Sequence, residues 1–273
     1  MKDCKYSVLM SVYKNEKSSF LKESIDSMLN QTLKPSDFVI VCDGPLTNEL
    51  DILLGKFNKE YPELIHIVRL EKNVGLGLAL REGLKYCKYD LVARMDADDI
   101  AFHDRCEKQI EIMNEKRVQI VSGTILEFTD DIGHIVTKRV VPESNEEIVE
   151  RAKLRNPFNH NCVMYSKIAV ENAGSYRHCP WFEDYYLWVR MIQCGYEGWN
   201  IQEPLLYARA GDEMYQRRGG LKYMKAMLSF KWKLKKIGFY SWKSFIISAG
   251  IHMVVCLIPN SMRGFIYKRV LHK

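Results

Sequence analysis

The stretch DLVARMDADDI, residues 90–100, decides how the rest of the sequence is interpreted. A short apolar run of strand length leads directly into three carboxylates within four residues, those of Asp96, Asp98 and Asp99. Like charges this close raise one another's pKa unless a positive group neutralises them, and Mg²⁺ or Mn²⁺ favours carboxylate and phosphate oxygens. The stretch therefore predicts a strand that ends in a cation site formed by these carboxylates. The alternative is that Asp98 or Asp99 caps the helix that follows.

Three further runs of strand length precede this stretch, and helical patterns separate them. The runs have the near-continuous hydrophobicity of buried parallel strands. Their alternation with helices predicts an α/β fold with a doubly wound, mostly parallel sheet, and the pattern becomes mixed after residue 117. In such sheets, ligands bind beyond the carboxyl ends of the strands. The strand runs are 6–12, 38–42, 64–70 and 90–95, and the helical patterns are 18–31, 50–61 and 76–86.

Two loops at the expected carboxyl edge carry residues suited to a nucleotide. Asp43 follows the second strand and can accept a hydrogen bond from a base imide or a ribose hydroxyl, or can simply begin an Asp-Gly turn. In NVGLG, residues 73–77, Gly75 allows a helix N-terminus to approach a donor closely, or forms a turn. Leu80 stands where a dinucleotide fingerprint has its third glycine, so a Rossmann dehydrogenase is disfavoured.

A pair of carboxylates opens a helical pattern in the second half of the chain. In WFEDYYLW, residues 181–188, Glu183 and Asp184 stand at the N-terminal end of the pattern. A carboxylate placed there can deprotonate an acceptor hydroxyl as a general base, or can merely complement the helix dipole. His160, which lies between two asparagines, is a candidate for a substrate contact or for a structural role.

The distribution of charge divides the chain at Glu213. The whole chain carries +6, but thirteen Lys and Arg and no acidic residue follow Glu213, so residues 1–213 carry −7. A nucleic-acid-binding protein would be expected to place positive charge around its site. The pattern favours a catalytic domain, residues 1–213, that rests on an anionic surface through a basic tail, residues 214–273. Residues 1–100 form the predicted nucleotide-binding half and residues 101–213 the acceptor half.

The basic tail combines an apolar segment with a basic one. Residues 245–258 are the most apolar stretch, but 14 residues fall short of the ~20 that span a bilayer. Residues 222–236 interleave lysines with apolar side chains, which is typical of a helix lying on a membrane surface. The alternative is a helical pair that packs on the catalytic domain and keeps a solvated basic face. Arg217 and Arg218 either clamp a diphosphate or belong to a solvated turn.

The cysteines and the N-terminus indicate a reducing compartment. The eight cysteines are scattered singly, which is typical of reduced thiols and not of a disulfide framework or a zinc ribbon. The first sixteen residues lack the apolar core and the cleavage site of a signal peptide. With the basic tail, these features predict a cytoplasmic protein that is peripheral on the inner face of the cell membrane.

Seven pieces of the sequence resemble the family 2 glycosyltransferases of the GT-A fold, particularly the bacterial enzymes that build capsule, exopolysaccharide and O-antigen repeat units. The resemblance covers roughly residues 6–220, and the order and spacing of the pieces make the set specific. The pieces are SVLMSVYKNE (7–16), the Asp-Gly at 43–44, NVGLGLALREGL (73–84), MDADD (95–99), NPFNHNCVMYSK (156–167), FEDYYLW (182–188) and RRGG (217–220).

The resemblance implies a reaction and a set of site residues. Asp184 is implied to be the base of a single inverting displacement, with Glu183 supporting it. Asp43 is implied to recognise uracil, and Asp96 and Asp98 to handle ribose, diphosphate and Mn²⁺ or Mg²⁺. The enzyme would be a metal-dependent hexosyl- or N-acetylhexosaminyltransferase, with a UDP-sugar donor and a lipid-linked saccharide acceptor in bacterial surface polysaccharide synthesis. The residues implied to bind the nucleotide sugar are Ser11, Tyr13, Asp43, Gly75, Arg94, Asp96, Arg217 and Arg218, and His160 is implied to contact the acceptor.

Some features depart from the family pattern, and two other functions stay open. Pro45 stands where the family usually has Ser, and Arg81 where a helix Asn is common, which leaves the details of the donor contacts open. The chain has no Gln-x-x-Arg-Trp motif, which favours transfer of one sugar over processive synthesis. A sugar nucleotidyltransferase would be expected to have a glycine-rich basic loop where residues 13–16 read YKNE. The other alternative is a non-catalytic domain that binds a nucleotide sugar.

Overall fold

The structure is a computed structural model that describes residues 4–129, 131–210 and 220–257. Within these ranges, nine strands form one sheet, and helices pack around it. The strands are β1 Tyr6–Val12, β2 Asp37–Cys42, β3 Ile65–Arg69, β4 Leu91–Asp96, β5 Ile100–Ala101, β6 Ile120–Phe128, β7 Ile135–Arg139, β8 Met164–Ser166 and β9 Gly198–Arg209. The helices are α1 Ser18–Leu29, α2 Asn48–Glu60, α3 Leu76–Leu84, α4 Arg105–Lys116, α5 Asn145–Ala152, α6 Lys167–Asn172, α7 Glu183–Gln193, α8 Gly220–Lys236 and α9 Trp242–Leu257, with a 3₁₀ turn at His160–Cys162.

The sheet confirms the predicted fold class. Its strand order is β3-β2-β1-β4-β8-β6-β9-β5, and β7 pairs with β6. The first four strands along the chain pair in parallel, as the alternation of strands and helices predicts. The second half is mixed, since β8 runs antiparallel to both β4 and β6, whereas β9 runs parallel to β6. The predicted GT-A architecture, with a parallel half followed by a mixed half, is therefore present.

The register of the parallel strands brings the predicted loops to one edge. Ser11 near the end of β1 pairs with Val41 in β2 on one side and with Asp96 at the end of β4 on the other. Asp43, the first residue of the predicted turn, comes directly after β2. The nucleotide and cation candidates therefore share the carboxyl edge of the sheet, where ligands bind in folds of this kind.

Both faces of the sheet are covered, which explains why its first strands are apolar at nearly every position. Val8 and Met10 of β1 pack in a cluster with α1, α2 and α4, whereas Leu9 packs in a cluster with α3 and α7. All three side chains are fully buried. Burying an aliphatic side chain of this size contributes about 1.5–3 kcal/mol. Packing on both faces thus holds β1, and with it the loops at the carboxyl edge.

The helical tail predicted from the sequence is present over residues 220–257. Helices α8 and α9 contact each other, and α8 also lies against α7. The ring of Phe230 in α8 stacks on Phe182, with centroids 4.7 Å apart and planes 3° from parallel. No helix in the described ranges has the length and apolar character that crossing a membrane would require.

Candidate active site

The aspartate loop, residues 96–99, follows β4 at the carboxyl edge. Each of its three aspartates offers an oxygen that lies within 4.8 Å of the others. Asp99 differs from the other two because both of its oxygens are engaged. The amide of Asn161 donates to one at 2.5 Å, and the backbone N–H of Arg209 donates to the other at 2.9 Å. Asp99 therefore anchors the loop, which leaves Asp96 and Asp98 as the carboxylates suited to a ligand.

Burial and mutual repulsion raise the pKa of two of these carboxyl groups. Burial, together with the charge of Asp96, raises the pKa of Asp98 to about 6. Burial, with Asp96 and Asp98, raises the pKa of Asp99 well above its usual range. A divalent cation offsets this repulsion directly, and carboxylate oxygens are the ligands that Mg²⁺ and Mn²⁺ prefer. The donor set of the loop therefore fits such a cation.

Arg94 lies beneath the aspartate loop. Its side chain is buried, and its guanidinium pairs with the carboxylate of Asp96. Its Nε and Nη1 atoms have no hydrogen-bond partner among the described residues. The structure shows that Arg94 holds Asp96, and the predicted contact of Arg94 with the donor stays a prediction. Its charge also favours the ionised forms of Glu183 and Asp184.

Arg209, at the end of β9, holds the aspartate loop from the other side. In addition to its backbone contact with Asp99, its Nε donates to the backbone oxygen of Asp98 at 3.1 Å. Its Nη2 donates to Glu23 at 2.8 Å, and the guanidinium lies 3.7 Å from the ring centroid of Phe20. Sequence reasoning missed Arg209, because neither spacing nor motif relates it to a loop 110 residues earlier.

Asp43 ties the loop after β2 to the start of α3. Its two carboxylate oxygens accept from the backbone N–H groups of Val74 at 2.7 Å and Gly75 at 3.0 Å, while Asn73 donates to its backbone oxygen at 3.2 Å. Gly75 has φ +90°, which glycine adopts without strain. A carboxylate can accept about four hydrogen bonds, so the capacity to bind a base remains. The predicted contact of Asp43 with uracil stays a prediction.

The N-terminal ends of α3 and α7 approach each other closely at Gly77. A Cβ atom at Gly77 would lie 2.8 Å from the Cβ of Glu183. Only a residue without a side chain fits at this distance. Gly77 therefore lets α3, which follows the predicted nucleotide loop, approach the two carboxylates at the start of α7.

Glu183 and Asp184 begin α7 and are both partly buried. The amide of Asn156 donates to Asp184 Oδ2 at 2.5 Å. Burial, with the charge of Asp184, raises the pKa of Glu183 to about 7, and burial also raises the pKa of Asp184. A carboxyl group whose pKa lies near the working pH accepts a proton more effectively than an ordinary one.

The segment 156–161, NPFNHN, connects the two acidic centres. Asn156 holds Asp184, and Asn161 holds Asp99. Between them, buried Asn159 donates to the backbone oxygens of Gly123 and Arg139 at 2.8 and 3.2 Å, which fixes the segment to the sheet. The sequence alone singles out this segment as a matching piece, but it does not show which asparagine serves which carboxylate.

His160 lies in the same segment, among aromatic rings. Its Nε2 is 3.0 Å from the hydroxyl of Tyr176, and its ring centroid is 6.0 Å from that of Trp188. Burial and the nearby charge of Arg94 lower the pKa of His160 well below its usual value, so the imidazole is neutral. This packing accounts for a structural role, and the predicted contact with an acceptor stays a prediction.

The remaining predicted donor residues lie at the edge or outside the described ranges. Ser11 is half-buried beside Asp96 in the sheet register. Tyr13 is half-buried, and its backbone oxygen accepts from the N–H of Glu16 at 3.1 Å. Arg217 and Arg218 lie outside the described residues.

Comparison with known proteins places these residues in a family context. The family model described as Glycosyl transferase family 2 matches residues 7–173. An uncharacterized glycosyltransferase of Haemophilus influenzae is 38% identical over 98% of this chain and 100% of its own length. The amylovoran biosynthesis glycosyltransferase AmsE of Erwinia amylovora is 38% identical over 97% and 98%. The UDP-Gal:alpha-D-GlcNAc-diphosphoundecaprenol beta-1,3-galactosyltransferase of Escherichia coli is 35% identical over 98% and 97%.

Solved structures share the fold at low sequence identity. The mannosyltransferase PcManGT of Pyrobaculum calidifontis, in complex with GDP-Man and Mn²⁺, is 14% identical with a TM-score of 0.65, over 96% of this chain and 73% of that one. TarS of S. aureus, residues 1–349 in complex with UDP-GlcNAc, is 15% identical with a TM-score of 0.61, over 95% and 69%.

Proposed function

The chain belongs to glycosyl transferase family 2, and from this we propose that it transfers a single sugar from a UDP-sugar to a lipid-linked saccharide, with inversion at the transferred carbon. Its relatives include glycosyltransferases of bacterial polysaccharide synthesis, and the name of one of them specifies a UDP-sugar donor and a diphosphoundecaprenol-linked acceptor. We infer the donor and acceptor from that name, the metal from the aspartate loop, and the inversion from the resemblance of Glu183 and Asp184 to the family's Glu-Asp motif.

One observation carries the proposal: the buried Arg94 acts on two acidic centres. The charge of Arg94 acts on Asp96 and Asp98 of the aspartate loop and on Glu183 and Asp184 at the start of α7. The first centre suits a diphosphate with its cation, and the second suits a hydroxyl that must lose a proton. The proposed transfer uses both centres, one for the leaving diphosphate and one for the acceptor hydroxyl. A buried residue that interacts with both can hold them at a fixed separation.

The proposed reaction is a single displacement. Asp184 accepts the proton of the acceptor hydroxyl, whose oxygen forms a bond to C1 of the donor sugar from the face opposite the diphosphate. The bond from C1 to the diphosphate oxygen breaks, and its electron pair leaves with UDP. A Mn²⁺ or Mg²⁺ ion held by Asp96 and Asp98 would supply neutralisation of the charge on the leaving diphosphate. Glu183, with a pKa of about 7, supports the base as its neighbour.

The donor would lie along the carboxyl edge of the sheet. We assign uracil to the loop held by Asp43, and the ribose and sugar to the edge formed by Ser11, Tyr13 and Gly75. Arg217 and Arg218 are assigned to the diphosphate because a guanidinium can contact its oxygens in a bidentate manner. His160 is assigned to the acceptor side.

The tail helices provide a surface suited to a membrane. Trp242 is 59% exposed and Ile246 is 66% exposed on α9. The ammonium of Lys235 lies 4.9 Å from the ring centroid of Trp242, and that of Lys236 lies 5.9 Å from the ring of Trp232. Aromatic rings beside lysines are favoured at the level of lipid headgroups. We propose that this surface holds the enzyme peripherally on the inner face of the cell membrane, where a lipid-linked acceptor is reached.

A donor screen tests the proposed reaction. Purified protein is incubated with a panel of nucleotide sugars and GlcNAc diphosphate carrying a short alkyl chain, with Mn²⁺ or with a chelator. We expect one UDP-sugar to release UDP in a manner that depends on acceptor and metal, and NMR of the product to show an inverted anomeric centre. Retention of configuration, or full activity with the chelator, would contradict the corresponding part of the proposal.

A flotation assay tests the membrane surface. Full-length protein and a form truncated after Gly220 are mixed with vesicles containing anionic lipid. We expect only the full-length protein to float with the vesicles. High salt should release part of it, because the screening length shortens to ~3 Å at 1 M. Mild detergent should release all of it. Equal binding by the two forms would rule out the tail as the membrane contact.

A further inference from the structure

A tight turn with an unusual residue precedes the proposed base. The backbone N–H of Phe182 donates to the backbone oxygen of Cys179 at 2.8 Å, so Pro180 and Trp181 are the central residues of a β-turn. Trp181 has φ +67°. Proline at the second position and a positive φ at the third are the signature of a type II turn, whose third position favours glycine.

A tryptophan in this conformation is strained and only partly buried. Left-handed backbone brings a Cβ atom too close to the following carbonyl, which is worst for bulky residues. The described ranges contain three non-glycine residues with positive φ, of which Trp181 is the largest. Its side chain is 41% exposed, so burial does not account for the choice of residue. Strain of this kind persists where the side chain serves a function.

The turn is held in place by α8. The ring of Trp181 lies 5.9 Å from that of Tyr223 in an edge-to-face arrangement, and the next residue, Phe182, stacks on Phe230. Trp181 therefore stands fixed, with part of its ring facing solvent, two and three residues before Glu183 and Asp184.

We propose that Trp181 is the platform on which the acceptor sugar stacks, an inference that rests on the proposed function. One face of a pyranose ring presents C–H groups, and a flat indole ring buries that face while the hydroxyls at its rim stay free for hydrogen bonds. Trp181 is three residues before Asp184, so the indole stands at the same end of α7 as the proposed base.

Trp181 and Glu183 contact different helices, one near the tail and one near the predicted nucleotide loop. Glu183 faces Gly77 at the start of α3, on the side of the predicted nucleotide loop. Trp181 faces Tyr223 in α8, on the side of the tail helices. The lipid-linked acceptor would approach from the tail, so the indole is on the acceptor side.

Substitutions of Trp181 by Ala, Phe and Gly test the inference. The measured quantity is the KM for GlcNAc diphosphate carrying a short alkyl chain, with the donor found in the screen. Trp181→Ala should raise KM for the acceptor by roughly tenfold to a hundredfold, the range expected for losing burial of a large apolar surface. Binding of UDP, measured by calorimetry, should not change. Trp181→Phe retains a stacking ring and should recover most of the acceptor affinity. Tyr86→Ala, which removes an aromatic side chain that is 56% exposed beyond the C-terminal end of α3, is the matched control and should leave the acceptor KM unchanged.

Trp181→Gly separates strain from recognition. Glycine fits the left-handed backbone, so this variant should melt about 2–4 °C above Trp181→Ala while having the same weak acceptor binding. An unchanged acceptor KM in Trp181→Ala, or equal losses of acceptor and UDP binding, would overturn the inference while leaving the transferase intact. A failure of the proposed function would appear as absence of transfer in the unaltered protein. In that case, calorimetry with the alkyl GlcNAc diphosphate decides the stacking role. Binding kept in Trp181→Phe and weakened in Trp181→Ala would support it, whereas equal binding by the unaltered protein and Trp181→Ala would overturn it.

Discussion

The aspartate loop and the carboxylate pair at the start of α7 are both acidic and partly buried, but they are held in different ways. The loop is fixed from three directions, by Arg94 beneath it and by Asn161 and Arg209 on Asp99. Within the described part of the chain, the pair has one side-chain hydrogen-bond donor, Asn156 on Asp184. A centre that binds a cation needs fixed oxygens, whereas a proton acceptor needs an adjustable proton affinity. The difference fits the proposed roles, since the proposed cation site is held by more contacts than the proposed base.

The largest expected effect removes a carboxylate from the aspartate loop. Asp98→Asn should weaken Mn²⁺-dependent UDP binding by about 10³-fold or more, since cation contacts to a diphosphate are worth several kcal/mol. Calorimetry with and without Mn²⁺ measures the change, and Asp104→Asn, a carboxylate that pairs with Lys108 at the start of α4, is the control. Unchanged metal response in Asp98→Asn would mean that the loop is not the cation site.

The second effect concerns the proposed base. Asp184→Asn should lower kcat by about 10²-fold to 10⁴-fold, the usual contribution of general-base catalysis, and should nearly preserve UDP binding. Transfer assays combined with UDP calorimetry separate the two quantities. Loss of UDP binding would move Asp184 to the donor site and would remove the distinction between the two centres.

A smaller effect tests the hydrogen bond from Asn156 to the proposed base. Asn156→Ala removes a hydrogen bond to a charged carboxylate, so kcat should fall by about 10-fold to 100-fold and the acidic limb of the pH–rate profile should move to higher pH. Asn161→Ala is the matched variant in the same segment, and it should affect the response to Mn²⁺ with little change in the pH profile. If the two variants behaved alike, the segment would serve only to hold the fold together.

The smallest effect is on stability. Burial raises the pKa of Glu183 from 4.5 to about 7, so the folded chain binds a proton that the unfolded chain has already lost in this range. Stability contributed by this group is present below about pH 4.5 and is lost as the pH rises towards 7. Because Glu183 is partly solvated, Glu183→Gln should reduce the fall in Tm between pH 5 and 8 by only about 2–4 °C. Glu115→Gln, exposed on α4, should leave that fall unchanged.

The sequence predicts what lies close together along the chain. The run from β4 into Asp96 and Asp98 is local, and strand, helix and strand alternate clearly enough to predict the parallel half and its carboxyl edge. The carboxylates of Glu183 and Asp184, at the start of α7, are likewise neighbours in the sequence. These features require no knowledge of which distant segments meet.

The supports of the site could not be predicted, because they join residues far apart in the chain. Arg209 reaches Asp99 from 110 residues away, and Gly77 meets Glu183 only because α3 and α7 cross at their N-terminal ends. The strained turn at Trp181 was missed as well. The sequence Pro-Trp indicates a turn, but only the backbone angle shows that tryptophan occupies a position suited to glycine.

The stacking of Phe182 on Phe230 fixes the distance between the start of α7 and helix α8. One ring stands at the cap of the helix that begins with Glu183 and Asp184, and the other belongs to the helix whose lysines would meet lipid headgroups. With this contact between them, the height of the reacting hydroxyl above the bilayer would be set by the protein and not by the lipid. An acceptor with too few or too many sugars between its lipid and its growing end would then present that end below or above the base. Chain length, as much as sugar identity, would decide which glycan is extended.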